Sequence, residues 1–236
     1  MNPQPLATSH QPLFCIIVAG GSGSRMKSDV PKQFLLLNGK PILQHTIERF
    51  LAYSPNLRII LVLPARDMNR WTELCDQHNF YPPIQTVIGG ASRFQSVRNG
   101  LKKISAKEGL VAVHDGVRPM ITTDVIGAGF DTAAEQGSAV TCVAVKDSVR
   151  VVEPDGTSKA VDRSQYRLMQ TPQTFRLSDF RQAFTVEEQP FFTDCASVME
   201  FAGYAITLVE GTYENIKITT PEDLHWAESV LAGRGV

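Results

Sequence analysis

Short runs of β-branched and other apolar residues alternate along this chain with longer stretches in which apolar positions recur every three or four residues. That pattern predicts strands at 14–19, 58–63, 84–88, 110–114 and 138–145, separated by helices at 42–53, 68–79, 93–104 and 124–136. Polar residues fall at the ends of these strands, so both faces of the sheet are expected to lie under helices, and the repeated β-α-β order predicts a mostly parallel sheet. The fold class is therefore α/β. Helix starts agree: Pro41 suits a first turn after Asn38-Gly39, while Ser92 and Thr123 are read as caps.

After Val145 the rhythm changes to alternation around Pro154-Asp155-Gly156, which predicts a β-hairpin arm over 146–170. A two-stranded ribbon is marginal alone, so the arm is expected to pack on its own domain or on a second copy. Beyond it come helices at 177–184 and 194–202, strands near 205–209 and 215–218, and a closing helix at 221–231 opened by Thr220-Pro221-Glu222-Asp223. Residues 1–13 read as a frayed tail and 14–236 as one domain.

The 236 residues are 43% hydrophobic with a formal net charge of -1, and their lysines and arginines are scattered. A nucleic-acid or membrane partner is not expected, and phosphate recognition has to be local. The four cysteines are widely spaced without a C-x-x-C pair, so neither a zinc site nor disulfides are predicted, and a reducing, cytoplasmic compartment fits. No protein ligand set for a metal is predicted.

The candidate chemistry lies in three loops. Gly20-Gly21-Ser22-Gly23 follows the first strand, where an open α/β sheet commonly binds phosphate. A dinucleotide fingerprint needs a third glycine where Met26 stands, and a Walker loop needs a Gly-Lys pair followed by a hydroxyl; both are missing. What remains is a glycine loop followed by Arg25, Lys27 and Lys32, suited equally to a triphosphate and to a plain turn before solvated cations. Gly89-Gly90 and His114-Asp115-Gly116-Val117-Arg118 follow two further strands, so three loops are expected to converge on one sheet edge. Asp115 there suits a ribose hydroxyl, a magnesium-bound water or a second substrate.

The segments AGGSGSRM, PKQF, HDGVRP, VDRSQYRLMQTPQTF, TDCASVME and NIKITTPEDL, in this order between Phe14 and Leu231, resemble the 2-C-methyl-D-erythritol 4-phosphate cytidylyltransferases. The resemblance implies a Rossmann-like nucleotidyltransferase fold and transfer of CMP from CTP to a sugar-alcohol phosphate, with Mg²⁺ held mainly by the CTP phosphates. It places Ala19, Gly20, Gly21 and Gly23 around the triphosphate, Gly90 and Ser96 at cytosine or ribose, and Asp115 with Gly116 between the substrates. Arg25 and Lys32 match the transition-state stabilisers. Arg163 and Lys217 match the pair that positions the acceptor phosphate, with Arg118, Ser148 and Thr193 on the acceptor side. The arm resembles a dimerisation arm, which implies a homodimer. Cys195 departs from the pattern, since a glutamate is usual after Thr193-Asp194, and Ser148 replaces a usual threonine.

Three rivals stand beside this reading. A ribitol 5-phosphate cytidylyltransferase shares the glycine loop and TPQ, but its arm usually lacks the Asp162-Arg163 dipeptide. A non-catalytic nucleotide-binding module is expected to lose Arg25, Lys32 or Lys217, all present here, and an oxidoreductase is disfavoured by Met26.

Overall fold

Alternation within single strands decides which residues meet which helices. In the first strand, Phe14 and Ile16 join one core, whereas Cys15 and Ile17 join the other on the opposite face. Fully burying one such aliphatic side chain contributes about 1.5–3 kcal/mol, so a strand buried on both faces is anchored twice.

The computed structural model describes residues 11–21, 26 and 30–233. In chain order the elements are β1 (Leu13–Val18), β2 (Leu36–Leu37), β3 (Lys40–Pro41), α1 (Ile42–Tyr53), β4 (Arg58–Leu63), α2 (Met68–Gln77), β5 (Gln85–Ile88), α3 (Arg93–Leu101), β6 (Leu110–Asp115), α4 (Thr123–Gln136) and β7 (Ser138–Ala144). They continue with β8 (Arg150–Val152), β9 (Ser158–Ala160), β10 (Arg167–Arg176), α5 (Leu177–Ala183), α6 (Cys195–Phe201), β11 (Leu208–Glu210) and α7 (Pro221–Gly233).

Seven strands form one mixed sheet in the order β11-β7-β10-β6-β1-β4-β5, with β10 alone antiparallel to its neighbours. Helices α3, α5 and α6 cover one face, where Phe175, Phe180 and Phe184 pack in succession at 4.9 and 4.5 Å between ring centres. Helices α1, α2 and α4 cover the other, and α7 closes a smaller core over Leu37, Val117 and Ile218. The α/β class and the two-sided covering are as the sequence predicts.

Three local expectations change. The cap of α4 is Thr122, whose side chain accepts the Val125 N–H, rather than Thr123, which begins the helix. The arm is narrower than 146–170: β8 and β9 pair around Gly156 at φ +84°, but from Arg167 the chain enters the main sheet as β10. Pro172 is tolerated inside that strand because its pairing with β7 shifts register between Met169 and Gln173, where no ladder donor is required. No strand forms over 215–218. The Asn215 and Ile216 amides make local turns to Thr212 and Glu214, and only the Ile218 amide reaches a neighbouring segment, at Val117.

Candidate active site

The parallel strands β6, β1 and β5 end at the same edge of the sheet, and the first residue of each following loop stays tied to the adjacent strand. The Ala19 amide donates to Val62 O at 3.0 Å, Gly89 to Leu63 O at 2.8 Å and Gly116 to Val18 O at 2.9 Å. Thr46 Oγ1 on α1 donates to Gly116 O at 3.0 Å, which ties the third loop to the helix layer. Gly116 admits no larger residue without displacement, since a Cβ there meets Ala19 Cβ at 2.8 Å. Three glycine-bearing loops are thus brought to one rim, as the sequence predicts.

Between them lies a cavity of about 310 Å³. Ala19, Gly20, Gly21, Gly90, Ser96, Asp115, Lys32 and Lys217 of the expected residues line it, joined by Gln33, Pro64 and Arg93. Gly23 and Arg25 lie outside the described residues, as does Lys27. Among the described residues the charged lining is Lys32, Arg93 and Lys217 against the single carboxylate of Asp115. The cavity therefore carries an excess of positive charge suited to a polyphosphate.

Asp115 is the hub of this arrangement and only 7% exposed. Lys217 Nζ lies 2.8 Å from its Oδ2, Arg93 Nη2 lies 3.6 Å from Oδ1, and Arg118 Nε lies 3.7 Å from Oδ2. Burial alone raises such a carboxyl, but the charges of Arg93, Lys217 and Arg118 together outweigh it and hold Asp115 well below the usual carboxylate range. It stays ionised and cannot serve as a proton donor near neutrality. Arg118 is itself buried, donates from Nη1 to Asn215 O at 2.7 Å and does not line the cavity.

The neighbouring His114 is neutral. Burial is the largest influence on it and pulls its pKa down to about 3. The Asp115 amide donates to Thr171 Oγ1 at 3.0 Å, so the Thr171 hydroxyl proton is free to go to His114 Nδ1 at 3.1 Å, leaving Nε2–H to donate to Arg118 O at 3.2 Å. This chain of bonds fixes the backbone on which Asp115 is mounted. Asn215 Nδ2 donates to Gln170 Oε1 and Thr171 O, tying the same segment to the approach of Lys217. Lys32 Nζ donates to Ile218 O at 3.1 Å, so both lysines are placed by the one irregular segment 215–218.

Cys195 is fully buried at the start of α6, and burial pushes its thiol up. Arg93 Nη1 donates to its Sγ at 3.3 Å, while Gln173 Oε1 accepts the Cys195 and Ala196 amides. The departure from the glutamate pattern thus falls on a residue that contacts Arg93, not one that lines the cavity. Thr171, Gln173 and Asn215 carry no role expected from sequence, although each lies inside a conspicuous segment, while Arg93 closes the Gly89-Gly90 loop that is expected on this rim. Their partners are distant in the chain and emerge only on folding.

Of the residues expected on the acceptor side, Asp115, Arg118 and Lys217 are gathered, but the other three are not. Ser148 and Arg163 are exposed at the base of the arm, with Arg163 Nη1 donating to Lys146 O, and Thr193 is exposed just before α6. None of the three lines the cavity. Among the described residues no group of three or more His, Cys, Asp or Glu could hold a metal, and no helix is long and apolar enough to cross a membrane. All four cysteines are free.

Residues 13–233 match the family described as 2-C-methyl-D-erythritol 4-phosphate cytidylyltransferase (IspD). The chain belongs to this family. It is therefore a cytidylyltransferase of the non-mevalonate pathway, making 4-diphosphocytidyl-2-C-methyl-D-erythritol. A cytidylyltransferase of this description from Bacteroides thetaiotaomicron is 47% identical over 216 residues, covering 92% of this chain and 98% of the relative. One from Porphyromonas gingivalis is 46% identical over 222 residues, with 94% and 98% covered. Among solved structures, 2-C-methyl-D-erythritol 4-phosphate cytidylyltransferase from Francisella tularensis aligns with a TM-score of 0.75 at 30% identity over 92% of this chain and 98% of its own. The 4-diphosphocytidyl-2C-methyl-D-erythritol synthase from Anaerococcus prevotii aligns with a TM-score of 0.79 at 26% identity over 94% of this chain and 99% of its own.

Proposed function

We propose that the cavity beyond β1, β4 and β6 binds CTP and that the phosphate of methylerythritol phosphate enters beside Asp115 and Lys217. The observation that carries this reading is the cation excess of Lys32, Arg93 and Lys217 around glycine loops. An acceptor phosphate oxygen forms a bond to the α-phosphorus as the bond to the β,γ-diphosphate breaks, and pyrophosphate leaves. The nucleophile is already ionised, so no general base is needed and the neutral His114 is no obstacle. The barrier is charge, which preorganised cations lower.

In this reading Ala19, Gly20, Gly21 and Gly23 present backbone to the triphosphate, and Gly90 with Ser96 meets cytosine or ribose. Gly116 admits the close approach of the Asp115 loop to Ala19. Lys32 and Arg25 stabilise the charge that builds on the α-phosphoryl oxygens. Lys217 and Arg163 hold the acceptor phosphate, with Ser148 and Thr193 on its sugar side. Arg118 acts from behind Asp115, through its bond to Asn215.

Mg²⁺ would be held mainly by the CTP phosphates, since Asp115, the one carboxylate among the described lining residues, is already paired with Lys217 at 2.8 Å. When bound, it neutralises phosphate charge as a Lewis acid. Four free cysteines agree with a reducing, cytoplasmic setting.

A homodimer completes the acceptor side. Val151 and Val152 on the arm, Leu168 and Met169 on β10, and Leu208 on the edge strand β11 are all exposed, an apolar surface that a second copy can cover. The arm, together with Arg163, then serves the neighbouring groove, and 14–236 act as one domain, which Leu13 already joins as the first residue of β1. Mixing tests this arrangement. Lys32→Ala and Arg163→Ala chains are each expected to be nearly inactive, yet a mixture that exchanges subunits recovers about a quarter of wild-type activity, because half the dimers hold one intact composite site. A mixture that stays inactive while sedimenting as mixed dimers contradicts the cross-subunit site.

A further inference from the structure

The loop 90–92 is short of side chains that could stiffen it, and two residues of α3 hold it from outside. Ser96 Oγ accepts the Gly90 amide at 3.1 Å, and Gln95 Oε1 accepts the Ala91 amide at 3.1 Å. Contact is close: a Cβ built on Gly90 would lie 2.3 Å from Gln95 Cβ. The other end of the Gln95 amide is also committed, with Nε2 donating to Glu188 Oε2 at 2.8 Å. Glu188 belongs to the connection between α5 and α6. That connection is packed on α3 through Phe94, stacked on Phe184 at 4.9 Å and lying 5.7 Å from Phe192. The neighbouring Ser92 and Gln95 hold the Glu188 carboxyl below the ordinary value.

We propose that Gln95 and Glu188 are positioning residues for the nucleotide, an amide-carboxylate latch that holds the 90–92 backbone in its binding shape. The inference rests on the reading of this loop as the cytosine and ribose contact. A loop that samples other shapes binds with an affinity reduced by the fraction of time it is competent, and a latch removes that loss. Because the latch acts on the free enzyme, its loss appears in the KM for CTP and not in kcat. The amide's two ends are specific: the carbonyl must face Ala91 N–H and the donor must face a carboxylate.

Steady-state kinetics on the full chain test it, with CTP varied at saturating methylerythritol phosphate. Gln95→Ala is expected to raise the KM for CTP about 10-fold, the scale of losing one or two net hydrogen bonds. Its kcat and acceptor KM should stay within about 2-fold, as for loss of uniform binding. Gln95→Glu keeps an acceptor for Ala91 but sets two carboxylates face to face, so it too raises the KM for CTP. Adding Glu188→Gln to it restores the wild-type value, because the exchanged pair again has one donor and one acceptor. An unchanged KM for CTP in Gln95→Ala overturns the proposal. So does a double variant no better than Gln95→Glu. Gly90→Ala separates the layers: if it raises the KM for CTP while Gln95→Ala does not, only the latch falls, and if it too leaves the KM unchanged, the loop's nucleotide role falls with it.

Discussion

Lys32→Ala is expected to lower kcat at least ~100-fold with the fold intact, the range for removing one preorganised stabilising group. Lys32 is 7% exposed, lines the cavity and is presented by a single 3-10 turn, Lys32–Phe34, between β1 and β2 in the chain. Its ammonium is placed before substrate arrives, by the Ile218 carbonyl at 3.1 Å. A cation fixed in this way needs no reorganisation when charge develops, which is why its loss falls on kcat. The structural cost is small by comparison, about 1 kcal/mol for one carbonyl left without that donor. Circular dichroism and kinetics on the purified variant check both halves, and near-wild-type turnover by a folded variant contradicts the role.

Asp115→Asn is expected to lower kcat/KM by ~100-fold or more and also to destabilise the protein. Three cations surround this one carboxylate, and only Lys217, at 2.8 Å, is within hydrogen-bond distance. Without the charge, Arg93, Arg118 and Lys217 repel one another and Lys217 is no longer aimed. Breaking a buried pair costs about 3–5 kcal/mol, but Lys217 is 43% exposed and screens its share, so about 2 kcal/mol is expected. The pH dependence has a definite sign. Asp115 is held below the ordinary carboxylate value in the folded protein, so its contribution is complete above ~3.9, the unfolded value, and is lost as pH falls further. Urea unfolding at about pH 6 and about pH 3 should therefore show the gap between wild type and Asp115→Asn shrinking in acid. A gap of constant size contradicts the ion cluster.

Much of this architecture is local and was legible in the chain. The alternation of Phe14 with Cys15 gives a strand buried on both faces, and Ser92 caps α3 through its bond to the Gln95 amide. The glycine-rich turns mark the rim because each follows a strand end. Strand β10 was hidden because period-two alternation runs unbroken from the arm into the sheet, and Pro172 argues against a central strand unless a register shift is known. The segment 215–218 looks like a strand by composition, yet its asparagine is spent on Gln170 and Thr171. Arg93 and Cys195 stand a hundred residues apart in sequence but meet at 3.3 Å, a contact no local pattern encodes. The half of the site proposed for the nucleotide sits on loops that one chain assembles alone. Of the acceptor half as proposed, Arg163 and Ser148 stay exposed in the single chain.

The most direct test of the central claim is pyrophosphate release from CTP by the wild-type protein, measured in parallel with methylerythritol phosphate and with ribitol 5-phosphate. The family assignment and the cation-lined cavity predict release that depends on methylerythritol phosphate and is far slower with the ribitol compound. Faster release with ribitol 5-phosphate, or release that ignores the acceptor, would contradict it.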